Sequence, residues 1–587
     1  MLVFKGSVVL CLLATLATVV ARSSLADPPP VDLEPKCKTE EATKLLNEGM
    51  ELQAGLKSEQ ALKTYDACLK LEKNCVPCLY ERGWSLWKLS RWDDVVATWK
   101  KALKLEPKHP KIPQFLPTAK ENALTPEESP RSAHFRQKTP IGTLSTPEDA
   151  HVRMKLFLRI QSYQKNTESP ADLFDLDIFS PKSVSFTPDG EHIYVNSLEG
   201  EKTIYFEAAT GKKLATIEHA FTKKEAGLFD RKKIYDYHLP KSRPRPNEFT
   251  GKPVELEFTH GGKFLWVPYY RRSYDKNGAT PSAMALIDTE KQQIVRVYGV
   301  GPISKYVKAS HNGKILAVSH WGDNTVGLWD IRGKNPKKFK RTYLLTVEER
   351  LSLKNIKGDR DKNCGFCVRG LAFSPDDKIL WVTRMKGGGI SAFALRKRGR
   401  PKFLGTVFGI VPGPRDIEVT HDGKELLVSC NASGAIAKAP VAAILKALKN
   451  KPKGETSVLV DRDQIGAKIV LAGLGARSIR ITPDEHYLFV AVNQTSDLVV
   501  VDLKEMKVEA RIPVDSYPVG VDLSPKGDKV FVTSQGRSSM GGNAVNGYEI
   551  LYLSKTLAKP RAEPSPSPSV LSEAPASPLK TDRFQHP

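Results

Sequence analysis

Long apolar runs are scarce in this chain of 587 residues. The one that stands out, Val8 to Ala21, covers 14 residues, fewer than the ~20 a membrane-spanning helix needs. The sequence therefore predicts no transmembrane anchor. Acidic residues are also in short supply, 66 Asp and Glu against 89 Lys and Arg, for a net charge of +23. That balance favours anionic ligands or surfaces and says nothing about fold. Cysteine is sparse, with eight in all. Neither Cys75-Val-Pro-Cys78 nor Cys364-Gly-Phe-Cys367 is followed by histidine, so the covalent haem motif is absent. Also missing are a phosphate-cradling glycine loop, a nucleophile elbow and a clear metal-ligand cluster. What is left points to a binding or assembly protein that needs no cofactor rather than to an enzyme.

The apolar run follows Lys5 and precedes Ser24-Leu25-Ala26, which puts small residues where a signal peptidase cuts. Residues 1–26 are expected to be a signal peptide, which makes the mature chain secreted or periplasmic. Cys11 sits within the run, after Val-Val-Leu, without the small residue expected before a lipidated cysteine. Removing the leader takes Lys5 and Arg22 and leaves +21. Seven cysteines remain, in a compartment that permits disulfides.

A period of 34 residues comes next. Leu45, Gly49, Leu52, Ala61, Tyr65, Cys68 and Leu71 align with Leu79, Gly83, Leu86, Val95, Trp99, Ala102 and Leu105. The small residues let paired helices approach, and Tyr65 and Trp99 are expected to fill the groove between units. The pattern resembles the tetratricopeptide repeat, which implies a helical-hairpin module over 38–123 and a protein partner. Two units are fewer than such stacks usually need, so a capping helix is expected over 111–123. Cys37, Cys68, Cys75 and Cys78 all fall in this module. Disulfides are the expected reading, since each stabilises a small secreted unit by about 2–4 kcal/mol; a four-thiolate zinc site is the alternative. Cys364 and Cys367 read as a local clamp.

Residues 124–170 read as a linker containing a helix near Val152–Lys165. From 171 to 558 the pattern changes to short strands around seven turns: Thr187-Pro-Asp-Gly190, Thr259-His-Gly-Gly262, Ser310-His-Asn-Gly313, Ser374-Pro-Asp-Asp377, Thr420-His-Asp-Gly423, Thr482-Pro-Asp-Glu485 and Ser524-Pro-Lys-Gly527. Proline presets φ, Asp or Asn supports the bend, and Gly accepts positive φ. A bulky strand follows each turn, and repeating units of three or four strands imply a seven-bladed β-propeller. "FTPDGEHIYVNS" and "LSPKGDKVFVTS" resemble the YVTN family of propeller repeats, and "TVGLWDIRGK" is similar to the WD repeat. The resemblance implies the fold and leaves function open. The fold class is thus a small all-α module followed by an all-β propeller. A Pro/Ser-rich tail, expected to be disordered, occupies 559–587.

Five residues before each turn stand Lys182, Val254, Lys305, Arg369, Arg415, Arg477 and Val519. Five of the seven are basic, at the point where the innermost strand enters the central channel. Such a ring would repel itself unless an anion or ordered water sits among the charges. The alternative is that these side chains splay outward onto carboxylates such as Asp416. Tyr270, Arg271, His320, Arg384, Asn431, Asn493 and Gln535 are expected on the same rim, a mix suited to phosphate or carboxylate. Other readings are kept open. Tyr269-Tyr270-Arg271-Arg272-Ser273-Tyr274 is the one run that could stack single-stranded nucleic acid. The basic stretches 223–245 and 334–341 could touch an anionic membrane surface. A propeller lactonase would need a histidine, carboxylate or metal beside an arginine, and the loop histidines His320 and His421 carry no motif.

Overall fold

The computed structural model describes residues 36–54, 58–88, 91–109, 111–113, 116, 119, 139–230, 245–354, 356, 358–396, 399–536 and 542–552. The expected leader and the expected tail lie outside them. The chain divides into two units, Met1–Ala119 and Lys120–Pro587. No helix among the described residues is long and apolar enough to cross a membrane.

The first unit holds α1 (Glu40–Ala54), α2 (Ser58–Leu71), α3 (Val76–Lys88) and α4 (Trp92–Leu105). α1 pairs with α2 and α3 with α4, as two hairpins. The glycines do what the period predicts: a Cβ at Gly49 would lie 2.4 Å from the Tyr65 ring, and one at Gly83 would lie 1.9 Å from Trp99 Nε1. Tyr65 and Trp99 thus fill the cleft inside their own hairpins, whereas the sequence reading placed them between units. Beyond α4, residues 112, 113, 116 and 119 are helical. Ile112, Leu116 and Ala119 are buried in one cluster with Leu86 and Trp99, as a cap requires. The four sulfurs of Cys37, Cys68, Cys75 and Cys78 lie within 4.8 Å of one another and pair as Cys37–Cys75 and Cys68–Cys78.

The second unit contains seven sheets of four or more strands, antiparallel except where Asp172–Phe174 joins Val152–Gln161 and Ser457–Leu459 joins Lys402–Phe408. They are numbered here as blades 1 to 7, and their innermost strands are Pro181–Phe186, Glu257–Thr259, Ser304–Ala309, Val368–Phe373, Pro414–Val419, Ala476–Ile481 and Pro518–Leu523. Neighbouring blades bury large apolar side chains against each other, as flat sheets must when each has two apolar faces. One cluster forms at each of the seven junctions, from Tyr194, Leu265 and Val267 between blades 1 and 2 round to Leu158, Val184 and Phe531 between blades 7 and 1. The last junction corrects the sequence reading, because Val152–Gln161 is a strand and not a helix. It pairs antiparallel with Ala544–Tyr552 and completes blade 7, so the propeller begins before residue 171. The run VRMKLFLRIQ alternates buried and less buried residues at its start, a period of two. Its Arg159 is buried between Asp172 and Asp515, 2.9 Å from each, and so fastens the start of the propeller to its end.

All seven turns form, with positive φ at the fourth residue of each: 76°, 91°, 65°, 55°, 72°, 60° and 70° from Gly190 to Gly527. Two of these are not glycine. Asp377 and Glu485 use their carboxylates to accept backbone N–H groups of the preceding blade's turn, at His311 and Asn312 and at His421. Those bonds offset the cost of left-handed backbone at an L residue, roughly 1–2 kcal/mol.

Candidate functional site: a basic channel mouth

At the end of the channel opposite the turns, each innermost strand starts with an irregularity in the same place. Seven residues before the turn the backbone is left-handed in six blades: Ser180 (φ 52°), Ile303 (51°), Cys367 (53°), Gly413 (67°), Gly475 (85°) and Tyr517 (59°). A β-branched residue such as Ile303 rarely adopts that conformation. Two residues later the pairing register slips in the same six blades, between Pro181 and Ser183, Ser304 and Tyr306, Val368 and Leu371, Pro414 and Ile417, Ala476 and Ile479, and Pro518 and Gly520. Bulges of this kind re-aim a side chain. The side chains at these slips are Lys182, Lys305, Arg369, Arg415, Arg477 and Val519. In blade 2 the corresponding edge is split into Phe249–Pro253 and Glu257–Thr259, both paired with Phe264–Arg272, and Val254 and Glu255 fall in the gap.

The five basic residues come together. Burial, followed by the charges of Arg477, Arg369 and Arg415, pushes the Lys182 ammonium well below its ordinary range, and Glu255 opposes the shift. Burial also brings Lys305 down to about 8, against the pull of Asp361. For Arg415, burial is the main cause, reinforced by Arg369 and Arg477. Arg477 falls to about 10, again chiefly through burial. Groups on five different blades feel one another's charge because their strands converge on one axis.

Two of the five have acidic partners. Arg369 Nη2 donates to Glu255 at 3.0 Å, and Lys305 Nζ lies 2.8 Å from Asp361, with the Tyr270 and Trp321 rings 4.2 and 4.9 Å away. Lys182, Arg415 and Arg477 form no ion pair among the described residues. Arg477 lies over the Tyr517 ring, and Arg415 Nη1 contacts the Met385 sulfur at 3.3 Å. Arg369 Nη1, Arg415 Nε and Arg477 Nε are buried with no hydrogen-bond partner among the described residues, a costly state for guanidinium groups. Asp416, the outward partner that the alternative reading invoked, is fully buried and accepts from the backbone N–H groups of Ile417 and Ile479 instead.

Three residues further along, the channel carries charges of both signs. Glu257 pairs with Lys308, and Arg480 lies between Glu418 and Asp522. The excess of positive charge is therefore confined to the mouth.

Two expected rim residues stand at that end of their strands, opposite Ser304 and Val368, but are buried in their sheets. His320 is fully buried, its Nδ1 2.9 Å from Thr325 Oγ1, and burial lowers it to about 3. A neutral imidazole in the sheet contributes no charge. Arg384 is buried over the Phe366 ring, 3.7 Å from its centroid, and is paired with Glu348. Cys364 and Cys367 are joined in the loop that leads to Arg369, and the same loop supplies Asp361. The Tyr269–Tyr274 run is no stacking platform: Tyr269 and Arg272 are buried, Arg271 is paired with Asp359, and Tyr274 donates to the Pro246 carbonyl. Sequence reasoning missed Glu255 and Tyr306, the latter with its ring centroid 5.5 Å from Arg369, which stand four residues before their turns, and Tyr517, seven before. Extending the same register by one or two positions would have found them.

Among the described residues, two groups could bring several metal-ligating side chains together: the four cysteines, and Asp189, Glu191 and His192. The former are taken up in disulfides. In the latter, on an exposed turn, Asp189 already accepts from Thr187 and the Glu191 N–H.

No family model and no curated protein matches this chain. Solved structures that it is similar to include the hydrazine synthase of Kuenenia stuttgartiensis, at 15% identity and a TM-score of 0.40 over 67% of this chain and 99% of that one. A second is a chain of a mitotic checkpoint complex, at 13% and 0.43 over 71% and 97%. A third is the β-propeller domain of Myceliophteria thermophila Cps50 (Swd1), at 12% and 0.42 over 64% and 97%. Such distant likenesses do not bear on activity, and the seven-bladed architecture rests on this chain's own sheets.

Proposed function

We propose that the chain is a secreted or periplasmic binding protein whose propeller mouth takes a small anion and whose helical unit, read as a pair of tetratricopeptide-like repeats, docks a protein partner. The carrying observation is the convergence of Lys182, Arg369, Arg415 and Arg477 with buried guanidinium nitrogens that no acceptor among the described residues satisfies. A buried donor left unpaired costs about 1–3 kcal/mol, and an anion in the mouth recovers it. Because Arg369, Arg415 and Arg477 are buried, a compact anion fits this reading better than a polymer lying across the face, which disfavours nucleic acid. The test is calorimetric titration of the full chain with inorganic phosphate. Binding is expected, and the triple substitution of Arg369, Arg415 and Arg477 to Met should abolish it while the thermal transition persists. Unchanged binding in that variant would remove the mouth as the site.

A further inference from the structure

We propose that Glu255 makes the mouth select a tetrahedral oxyanion that still carries a proton, hydrogen phosphate being the simplest, over one that carries none, such as sulfate. This specificity rests on the anion-binding reading of the mouth. It starts from one guanidinium. Arg369 Nη2 donates to Glu255 Oε1 at 3.0 Å, whereas Arg369 Nη1 is buried with no hydrogen-bond partner among the described residues. The two nitrogens share a carbon, so an anion oxygen bound at Nη1 lies within a few ångströms of the Glu255 carboxylate. The pair also reaches across the mouth. Glu255 precedes the inner strand of blade 2 and Arg369 belongs to blade 4, and the guanidinium lies over the Tyr306 ring of blade 3, 5.5 Å from its centroid.

The other carboxylates of the mouth are engaged differently. Both oxygens of Asp416 accept backbone N–H groups, from Ile417 and Ile479, and Asp361 stands against Lys305 at 2.8 Å. Glu255 accepts through Oε1 alone among the described residues, which leaves Oε2 as an acceptor beside Arg369. Two anions on one buried guanidinium repel each other. An oxyanion with a proton replaces that repulsion by a short hydrogen bond donated to the carboxylate. An oxyanion without one sets lone pair against lone pair, and a site built around such a bond rejects the ligand that cannot make it. The unsatisfied nitrogens of Arg415 and Arg477, on the next two blades, suit the remaining oxygens. A phosphate monoester above neutral pH has lost its last proton and falls with sulfate, so the ligand this chemistry fits is the free ion.

The experiment is calorimetric titration of the full chain at pH 8 with inorganic phosphate, sodium arsenate, sodium sulfate and phenyl phosphate. At that pH all four are mainly dianions and only the first two keep a proton, so charge does not separate them. Phosphate and arsenate are expected to bind at least about a hundredfold tighter than sulfate and phenyl phosphate. In Glu255→Gln the amide N–H can donate to sulfate, and the preference for phosphate over sulfate should fall below about tenfold with phosphate still bound. Loss of a charge by itself would move phosphate and sulfate together. An unchanged ratio in a variant that keeps its thermal transition therefore overturns the inference. Should the variant not fold, the wild-type chain decides: sulfate or phenyl phosphate binding as tightly as phosphate overturns the inference and leaves an anion site in place. Absence of binding by all four overturns the site itself.

Discussion

His219 and His320 are fully buried, and burial holds each imidazole at about 3. In the unfolded chain they return to about 6.5. Between those values the unfolded state binds protons that the folded state refuses, so their contribution is complete above 6.5 and lost as the pH falls toward 3. At pH 5 each should cost the fold about 2 kcal/mol. Urea unfolding at pH 7 and pH 5 measures this, and His320→Gln should flatten the difference. Asp177 is lowered too, for a different reason: burial pushes its carboxyl up, but hydrogen bonds from Lys202 and Lys213 prevail and hold it at about 2. Its share is full above about 4 and lost as the pH falls through 2. At this scale the sequence was informative for the arginines and misleading for His320. Arg369, Arg415 and Arg477 stand at one register position, so the repeat assigns them equivalent places on their blades. What surrounds a lone histidine depends on neighbouring strands, which no local pattern encodes.

Among the elements, the helical unit shows how spacing turns into packing. Trp99 lies against Gly83, and its indole N–H donates to the Tyr80 carbonyl at 3.1 Å. Gly83→Ala should overpack this contact and cost about 1–3 kcal/mol, seen as a lowered melting temperature for the helical signal and a changed tryptophan near-UV spectrum. A neutral or stabilising result would mean that the hairpin has room to open. Reduction of Cys37–Cys75 and Cys68–Cys78 should cost this unit about 2–4 kcal/mol for each bridge, which thermal unfolding with and without reductant can read out. The cysteine count foretold that these residues act together, and only the folded hairpins decided the partners. In the second unit the run Val152–Gln161 carries a strand's period of two that the helix reading passed over, while its partner strand, Ala544–Tyr552, lies nearly 400 residues away. A strand that completes a sheet from such a distance carries no local sign of the sheet it joins.

At the scale of the molecule, closure of the ring depends on that strand. Arg159 lies in it, buried between Asp172 and Asp515, while Asn546 and Tyr163 also reach Asp515. Arg159→Met should leave two buried carboxylates uncompensated and lower propeller stability by roughly 3–5 kcal/mol, read as a fall in the urea midpoint. An unchanged midpoint would show that the apolar junctions close the ring without the ion pairs. The charge of the whole chain is a poor guide to the site, since the five cations of the mouth are a small part of its 89 Lys and Arg. What matters is that the three arginines at the mouth are buried, whereas Glu257, Lys308, Glu418, Arg480 and Asp522 deeper in the channel pair with one another.

The sequence by itself determined the number of blades, because seven turns with fixed chemistry each reverse the chain in one way, and it determined the register that puts basic residues at the start of five inner strands. Tertiary structure decided the rest. Left-handed residues and register slips turn those side chains toward one axis, and seven apolar junctions bring the blades close enough for charges on separate strands to act on one another. Turn type is a local property of four residues and can be read from them; convergence on an axis belongs to the closed ring.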